Sequence, residues 1–120
     1  MIRVPLLVLL AGMAEAGEVQ STGSFVGGRT TGDVEIIRDG DQFFVRLAPN
    51  FLHEGAPDPW VALGQDGFRR DALLGPLRED SGAQLYEIPA RLAETPYNQV
   101  YIWCENFSTS LGRAWLKPAQ

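Results

Sequence analysis

Hydrophobic and polar residues alternate along most of the chain in short runs, and Gly, Pro and Asp separate these runs. A two-residue period places successive side chains on opposite faces of a strand, and no stretch has the period of a long helix. Strands are predicted within 33–48 and near 60–64, 84–88, 99–105 and 108–116. The pattern therefore predicts an all-β fold, an antiparallel β-sandwich or barrel-like domain of about seven short strands.

The segments between these runs carry turn and loop signals. Asp39-Gly40 is a dipeptide suited to positive φ, so residues 33–48 are predicted to form a hairpin. Pro89 predicts a short helical turn, because its ring fixes φ at a position where a helix needs no donor. Residues 49–59 and 65–82 are predicted to be long loops, where binding residues of a sandwich usually lie.

The N-terminus has the pattern of a secretory signal. A short positive start with Arg3 precedes an apolar run that is too short to span a bilayer. Small residues at Ala14 and Ala16 stand where signal peptidase reads. We expect cleavage after residue 16 and a single mature domain over 17–120. The predicted location is periplasmic or secreted.

Composition narrows the classes of function. The formal net charge is −5, and no basic cluster is present, which disfavours nucleic acid and anionic membranes as partners. Nine of the ten basic residues are Arg, which is typical of a GC-rich bacterial genome. One Cys excludes an internal disulfide, and both Met residues lie in the signal. Few soft ligands remain, so no metal site is predicted.

The most informative strand is Gln99-Val100-Tyr101-Ile102-Trp103-Cys104-Glu105. Alternation puts Val100, Ile102 and Cys104 on one face and Tyr101 and Trp103 on the other. Such a strand is central and covered on both sides, or its aromatic face lines a pocket. Cys104 is then either an inert buried hydrophobe or, because its strand ends at a probable turn, a partly exposed and functional thiol.

Several blocks of the sequence resemble the DM-thirteen domain family over about residues 22–117. The C-terminal blocks are Val100-Tyr101-Ile102-Trp103-Cys104, Asn106-Phe107-Ser108 and Gly112-Arg113-Ala114-Trp115-Leu116. The upstream blocks include Gly23-Ser24-Phe25, Gly32-Asp33-Val34, Gly55-Ala56-Pro57-Asp58, Leu74-Gly75-Pro76-Leu77 and Gly82-Ala83-Gln84-Leu85-Tyr86-Glu87-Ile88-Pro89. Their combination, order and spacing carry the resemblance. Ala56 and Leu111 depart from the family pattern.

The resemblance implies an extracytoplasmic β-rich domain that relatives carry beside DOMON and b-type cytochrome modules. It also implies a role in electron transfer or oxidative modification at the cell surface. The family's cysteine, suspected of acting as a bare thiol or as a ligand to a prosthetic group such as haem, corresponds to Cys104. A redox partner protein in the periplasm or at the cell surface is therefore expected.

Two further residues are candidates beside Cys104. His53 is a possible second ligand of a metal or haem, although an isolated loop histidine is more often solvated. Trp103 is a candidate to shape a cofactor pocket. The absence of a C-x-x-C-H motif excludes covalent c-type haem. Whether the protein is an enzyme stays open at this stage.

Two classes of function stay open beside an inert scaffold. The first is a redox module that acts through Cys104, with or without a bound group. The second is a ligand-binding or carbohydrate-binding module whose aromatic side chains stack on a flat ligand. The rings available to the second are Trp60, Tyr97, Tyr101, Trp103 and Trp115.

Overall fold

The computed structural model describes residues 17–119, which form eleven strands and one turn of 3-10 helix. The strands are β1 Glu18–Val26, β2 Thr30–Thr31, β3 Asp33–Asp39, β4 Gln42–Leu47, β5 Leu52–His53, β6 Pro59–Gly64, β7 Phe68–Pro76, β8 Gln84–Ile88, β9 Gln99–Cys104, β10 Thr109–Trp115 and β11 Lys117–Pro118. The helical turn is Ala90–Leu92, inside the segment predicted after Pro89. The all-β prediction is confirmed. The predicted signal segment lies outside the described residues.

One antiparallel sheet makes up most of the domain, with strand order β7-β6-β9-β10-β1-β3-β4-β8 and with β11 beside β1. β2 and β5 form a separate two-stranded ribbon. The sheet turns a corner along strand β1, because the first part of β1 pairs with β3 whereas Phe25 and Val26 pair with β10. The sheet thereby folds over itself into a nearly closed, barrel-like form. No described helix is long and apolar enough to cross a membrane.

The corner in β1 depends on a glycine. A Cβ at Gly23 would lie 2.2 Å from the carbonyl oxygen of Trp115, far inside van der Waals contact. Only a residue without a side chain lets β1 and the end of β10 approach this closely. The chain can therefore fold over at this point without opening the sheet.

The core fills the space inside the folded sheet. Side chains with no solvent exposure come from strands on both sides of the corner: Val34, Val45, Leu47, Val61, Leu63, Val100 and Ile102. Phe51, outside the main sheet, packs edge-to-face on Phe25 with ring centroids 5.7 Å apart. A core assembled from so many strands gives the domain its stability without a disulfide.

Three details differ from the sequence predictions. Residues 65–82 are not a loop, since β7 lies within them and pairs with β6 through two register shifts. Strand β1 was not predicted, because its polar residues and Gly23 weaken the alternation. The hairpin turn consists of Gly40 and Asp41, one residue later than predicted, with φ of 65° at Gly40. A two-residue turn with positive φ at its first position alone is type II′.

Candidate functional site

Cys104 lies at the end of β9, with Pro59 and Thr109 opposite it on the two neighbouring strands. Its side chain points into the folded sheet together with those of Val100 and Ile102, as the alternation predicts. It is 1% exposed. Of the two alternatives that the sequence left open, a buried or a partly exposed thiol, the structure has the buried one.

The thiol is buried by a segment distant in the sequence. Cys104 Sγ donates a hydrogen bond to the carbonyl oxygen of Pro57 at 3.1 Å, and it accepts one from the Phe107 backbone N–H at 3.4 Å. The backbone N–H of Glu105 donates to the carbonyl of Asp58 at 3.1 Å. Residues 54–58, the covering segment, thus close over the sulfur. The covering segment itself has no regular secondary structure, and Pro57 and Asp58 are exposed.

The other face of β9 carries a cluster of aromatic rings. Phe68 and Trp103 stack in parallel with centroids 3.6 Å apart, and Tyr101 meets both rings edge-on. The guanidinium group of Arg70 lies over Phe68 and forms two hydrogen bonds with Glu105. Arg70 lowers the pKa of the Glu105 carboxyl. The three rings therefore pack against one another and cover this face of the sheet.

This packing bears on the second class of function that the sequence left open, a ligand-binding or carbohydrate-binding module. One face of the Trp103 indole is already occupied by Phe68, so it offers no free stacking surface there. Its buried N–H has no hydrogen-bond partner among the described residues, although Glu105 is near enough for this N–H to contribute to its lowered pKa. Trp115, at 47% exposure, lies on β10 beneath Arg113. Among the described residues, Phe68 covers Trp103 and Arg113 lies over Trp115, so these two rings do not favour the binding module.

His53 is also buried, at 1% exposure, and is not the solvated loop residue that its isolation suggested. The Thr30 hydroxyl donates to the carbonyl of Leu111 at 2.8 Å, so its oxygen must accept from His53 Nδ1–H at 3.1 Å. This assigns the proton to Nδ1 and leaves Nε2 as a buried lone pair that has no partner among residues 17–119. Burial is the largest cause of the lowered pKa of His53. The positive charge of Arg29 lowers that pKa further, whereas the negative charges of Asp80 and Glu54 raise it.

The lowered pKa of His53 predicts a pH dependence of stability. The unfolded chain binds a proton near pH 6.5, whereas the folded imidazole binds it only at lower pH. The free energy of unfolding should therefore have its full value above pH 6.5. It should fall as the pH drops from there through the pKa of His53 in the folded protein. Urea unfolding at pH 7.5 and pH 5.5 measures this effect.

The matched variant for this experiment is His53→Asn, whose amide can still donate to Thr30 but does not titrate. Its stability should change less than that of the parent between the two pH values. Asp33 and Glu105 also have lowered pKa values, but their contribution to the free energy of unfolding is lost only as the pH falls below the ordinary carboxyl range. The pH range of the His53 effect is therefore distinct from theirs. Equal pH dependence in the variant and the parent would show that His53 is not responsible.

The three residues proposed from sequence do not form a common ligand shell in this arrangement. Trp103 and Cys104 lie on opposite faces of β9, and the imidazole of His53 bonds to Thr30. Within residues 17–119, no group of three His, Cys, Asp or Glu side chains is placed to hold a metal ion. Their roles in a site remain predictions.

A haem does not fit these residues as they are placed. Cys104 Sγ already has two hydrogen-bond partners, Pro57 and Phe107. Neither Cys104 nor His53 lines any of four cavities that lie along the described residues. The buried sulfur and the buried imidazole are thus both held by protein groups rather than set beside one of these cavities.

Sequence reasoning missed two contributors to the site. Phe68 was assigned to a loop, and no local signal places its ring on Trp103. Pro57 belongs to a block that carried the family resemblance, and Ala56 beside it was noted as a departure. That block was the available signal for the covering segment, but nothing in it indicates a hydrogen bond to Cys104.

A family model described as electron transfer DM13 matches residues 25–116, about three quarters of the chain. No curated protein and no solved structure matches. The family match covers every strand from β2 to β10 and confirms the resemblance stated from the sequence blocks. The chain is a member of the electron-transfer DM13 family.

Proposed function

We propose that this domain is an electron-transfer module whose reactive atom is Cys104 Sγ, and that its partner reaches the sulfur when the covering segment moves. Membership of the DM13 family supports redox function in general. The observation that carries the assignment to Cys104 is its position. The sulfur lies at the end of the sheet, beneath a short exposed segment that holds it through a single backbone carbonyl.

The covering segment is suited to local opening. Two hydrogen bonds join it to the end of β9, one from the thiol and one from the Glu105 N–H. Its exposed residues contribute little to the core. Segments with few buried apolar contacts open at a smaller free-energy cost than global unfolding. Opening should therefore expose the thiol while the sheet stays folded.

The proposed thiol–disulfide exchange uses one reactive group of this chain, Cys104, and takes the disulfide and the second thiol from partner proteins. When the covering segment opens, Cys104 loses its proton to solvent, and the thiolate attacks one sulfur of a partner's disulfide. That disulfide breaks, a mixed disulfide forms, and the second partner sulfur leaves as a thiolate. A thiol of a partner then attacks the mixed disulfide and releases Cys104. The chain has no second cysteine, so it cannot complete this step alone.

The same proposal implies the compartment in which the protein acts and the kind of partner that it meets there. Disulfides persist in oxidising compartments, and the N-terminal pattern predicts export to the periplasm or beyond. The partner is therefore a redox protein of the periplasm or cell surface that carries an exchangeable disulfide. Burial of the thiol makes this exchange slow and protects the sulfur from overoxidation between encounters.

The rate of thiol exchange tests local opening directly. Folded protein is mixed with a chromogenic aromatic disulfide at increasing, non-denaturing urea concentrations. We expect a slow exchange whose rate depends little on urea, because local opening exposes little surface. A rate that rises with the full urea dependence of global unfolding would contradict the proposal and make Cys104 a purely structural residue.

A matched pair of proline variants locates the opening. Pro57→Gly should speed exchange about two- to fivefold, because glycine makes the covering segment more flexible. Pro49→Gly changes another exposed proline, in the turn after β4, and should leave the exchange rate unchanged. Equal acceleration by both variants would show that global stability, and not the covering segment, controls access.

A further inference from the structure

His53 holds the start of the covering segment in place. It is the last residue of β5, and the covering segment follows it directly. The backbone N–H of His53 donates to the carbonyl of Asp80 at 2.7 Å. The N–H of Glu54 donates to the carbonyl of Arg29 at 2.8 Å, and the His53 side chain bonds to Thr30. Because β5 has only two residues, each of these bonds is a large part of what fixes this end of the covering segment.

The covering segment and β5 are built to move as one unit. At the far end of the segment, the two hydrogen bonds with Cys104 and Glu105 are the attachment to β9. Gly55, between the two ends, has φ of 86°, and a Cβ at this position would meet no atom within 4 Å. Glycine adopts such angles at little cost, so the chain can pivot there. Phe51 is 1% exposed and anchors the chain before β5, which limits the movable unit to residues 52–58.

The surroundings of His53 favour the neutral imidazole. A proton added at Nε2 would create a buried charge and a buried N–H, and none of the described residues supplies an acceptor for it. The charged groups close enough to act on the ring are Arg29 before β2, Glu54 after β5 and Asp80 before β8. The two carboxylates attract a proton, whereas burial and Arg29 oppose it, and burial has the largest effect. β10 contacts the ring's partner Thr30 through the backbone carbonyl of Leu111.

We propose that protonation of His53 releases β5 together with the covering segment, so that Cys104 becomes more accessible as the pH falls. This regulation rests on the redox function proposed above. When residues 52–58 move away, the imidazole reaches water and can bind a proton that the closed form disfavours. A ligand that binds one of two states more tightly shifts the population towards that state, and the proton is such a ligand here.

The consequence for the proposed exchange is a weaker dependence on pH. The thiolate is the attacking species, and its fraction falls as the pH drops. A covering segment that opens more often at low pH offsets part of that loss. The gate therefore keeps Cys104 available to its partner over a wider pH range than a permanently covered thiol would allow.

Exchange of Cys104 with a dipyridyl disulfide at pH 7.5 and pH 5.5, without urea, tests the gate. At each pH the rate for the unfolded protein is divided by the rate for the folded protein. This ratio, the thiol protection, removes the pH dependence of the thiol chemistry itself. At pH 5.5, one unit below the ordinary histidine pKa of 6.5, protonation can raise the open population up to about tenfold. Thiol protection of the parent should therefore fall by up to about that factor.

His53→Asn is the matched variant, because it keeps the Glu54 and Asp80 carboxylates and removes the imidazole. Its thiol protection should be the same at both pH values. The Glu54 amide gives a readout in the parent that does not use the thiol. Its protection against hydrogen exchange, corrected for the intrinsic effect of pH, should fall by the same factor as the thiol protection. The Ala119 N–H, which donates to Gln20 at the exposed C-terminal end, should keep its protection unchanged.

The failure of this gate and the failure of the redox proposal give different results. Equal thiol protection at both pH values, in a parent whose exchange depends little on urea, would overturn the gate and leave the redox proposal intact. An unchanged Glu54 amide, or the same loss of thiol protection in His53→Asn, would also overturn the gate. Exchange with the full urea dependence of global unfolding would instead contradict the redox proposal. The Glu54 amide alone would then decide whether His53 releases β5.

Discussion

Replacing Cys104 by Ser should abolish mixed-disulfide formation while the domain stays folded. The folded parent, treated with oxidised glutathione, is expected to gain one glutathionyl group per chain, measured by intact mass. The variant should gain none, because the chain has no other cysteine. A serine hydroxyl can still donate to Pro57 and accept from Phe107, so the free energy of unfolding should fall by only about 1 kcal/mol.

The companion variant is Cys104→Ala, which removes the thiol and both of its hydrogen bonds. It leaves the Pro57 carbonyl and the Phe107 N–H without this partner, so it should be less stable than Cys104→Ser. An alanine variant more stable than the serine variant would show that these hydrogen bonds matter little. A folded parent that gains no glutathionyl group until it unfolds would contradict the proposed redox role.

Replacing Phe51 by Ala should destabilise the domain by about 3–5 kcal/mol. Its ring is 1% exposed and packs on Phe25, and it holds the segment between β4 and β5 against the core. Alanine removes most of these contacts and leaves a cavity that the surrounding strands fill only in part. Urea unfolding at pH 7.5 measures the loss.

Phe107 supplies the matched control for Phe51. It is 66% exposed at the turn after β9, so Phe107→Ala should change stability by no more than about 0.5 kcal/mol. The variant keeps the backbone N–H that bonds to Cys104. Similar losses in the two variants would mean that Phe51 does not contribute to the core as its burial indicates.

Local patterns were sufficient for much of the fold. Alternation in 99–105 gave strand β9 and assigned its two faces correctly, because a strand's side-chain directions follow from its own backbone. Asp39-Gly40 located the β3–β4 hairpin to within one residue, and Pro89 located the helical turn. Strand β7 escaped prediction because FRRDALLGP does not alternate, and pairing with β6 determines its conformation.

The sequence by itself determined that the domain is all-β, that it belongs to a redox family and that Cys104 is its one thiol. The tertiary structure alone decided the state of that thiol, because the carbonyl that accepts from it lies 47 residues away. It likewise decided that Phe68 covers Trp103 and that His53 bonds to Thr30. These features arise where segments distant in sequence meet, and local periodicity carries no information about such contacts.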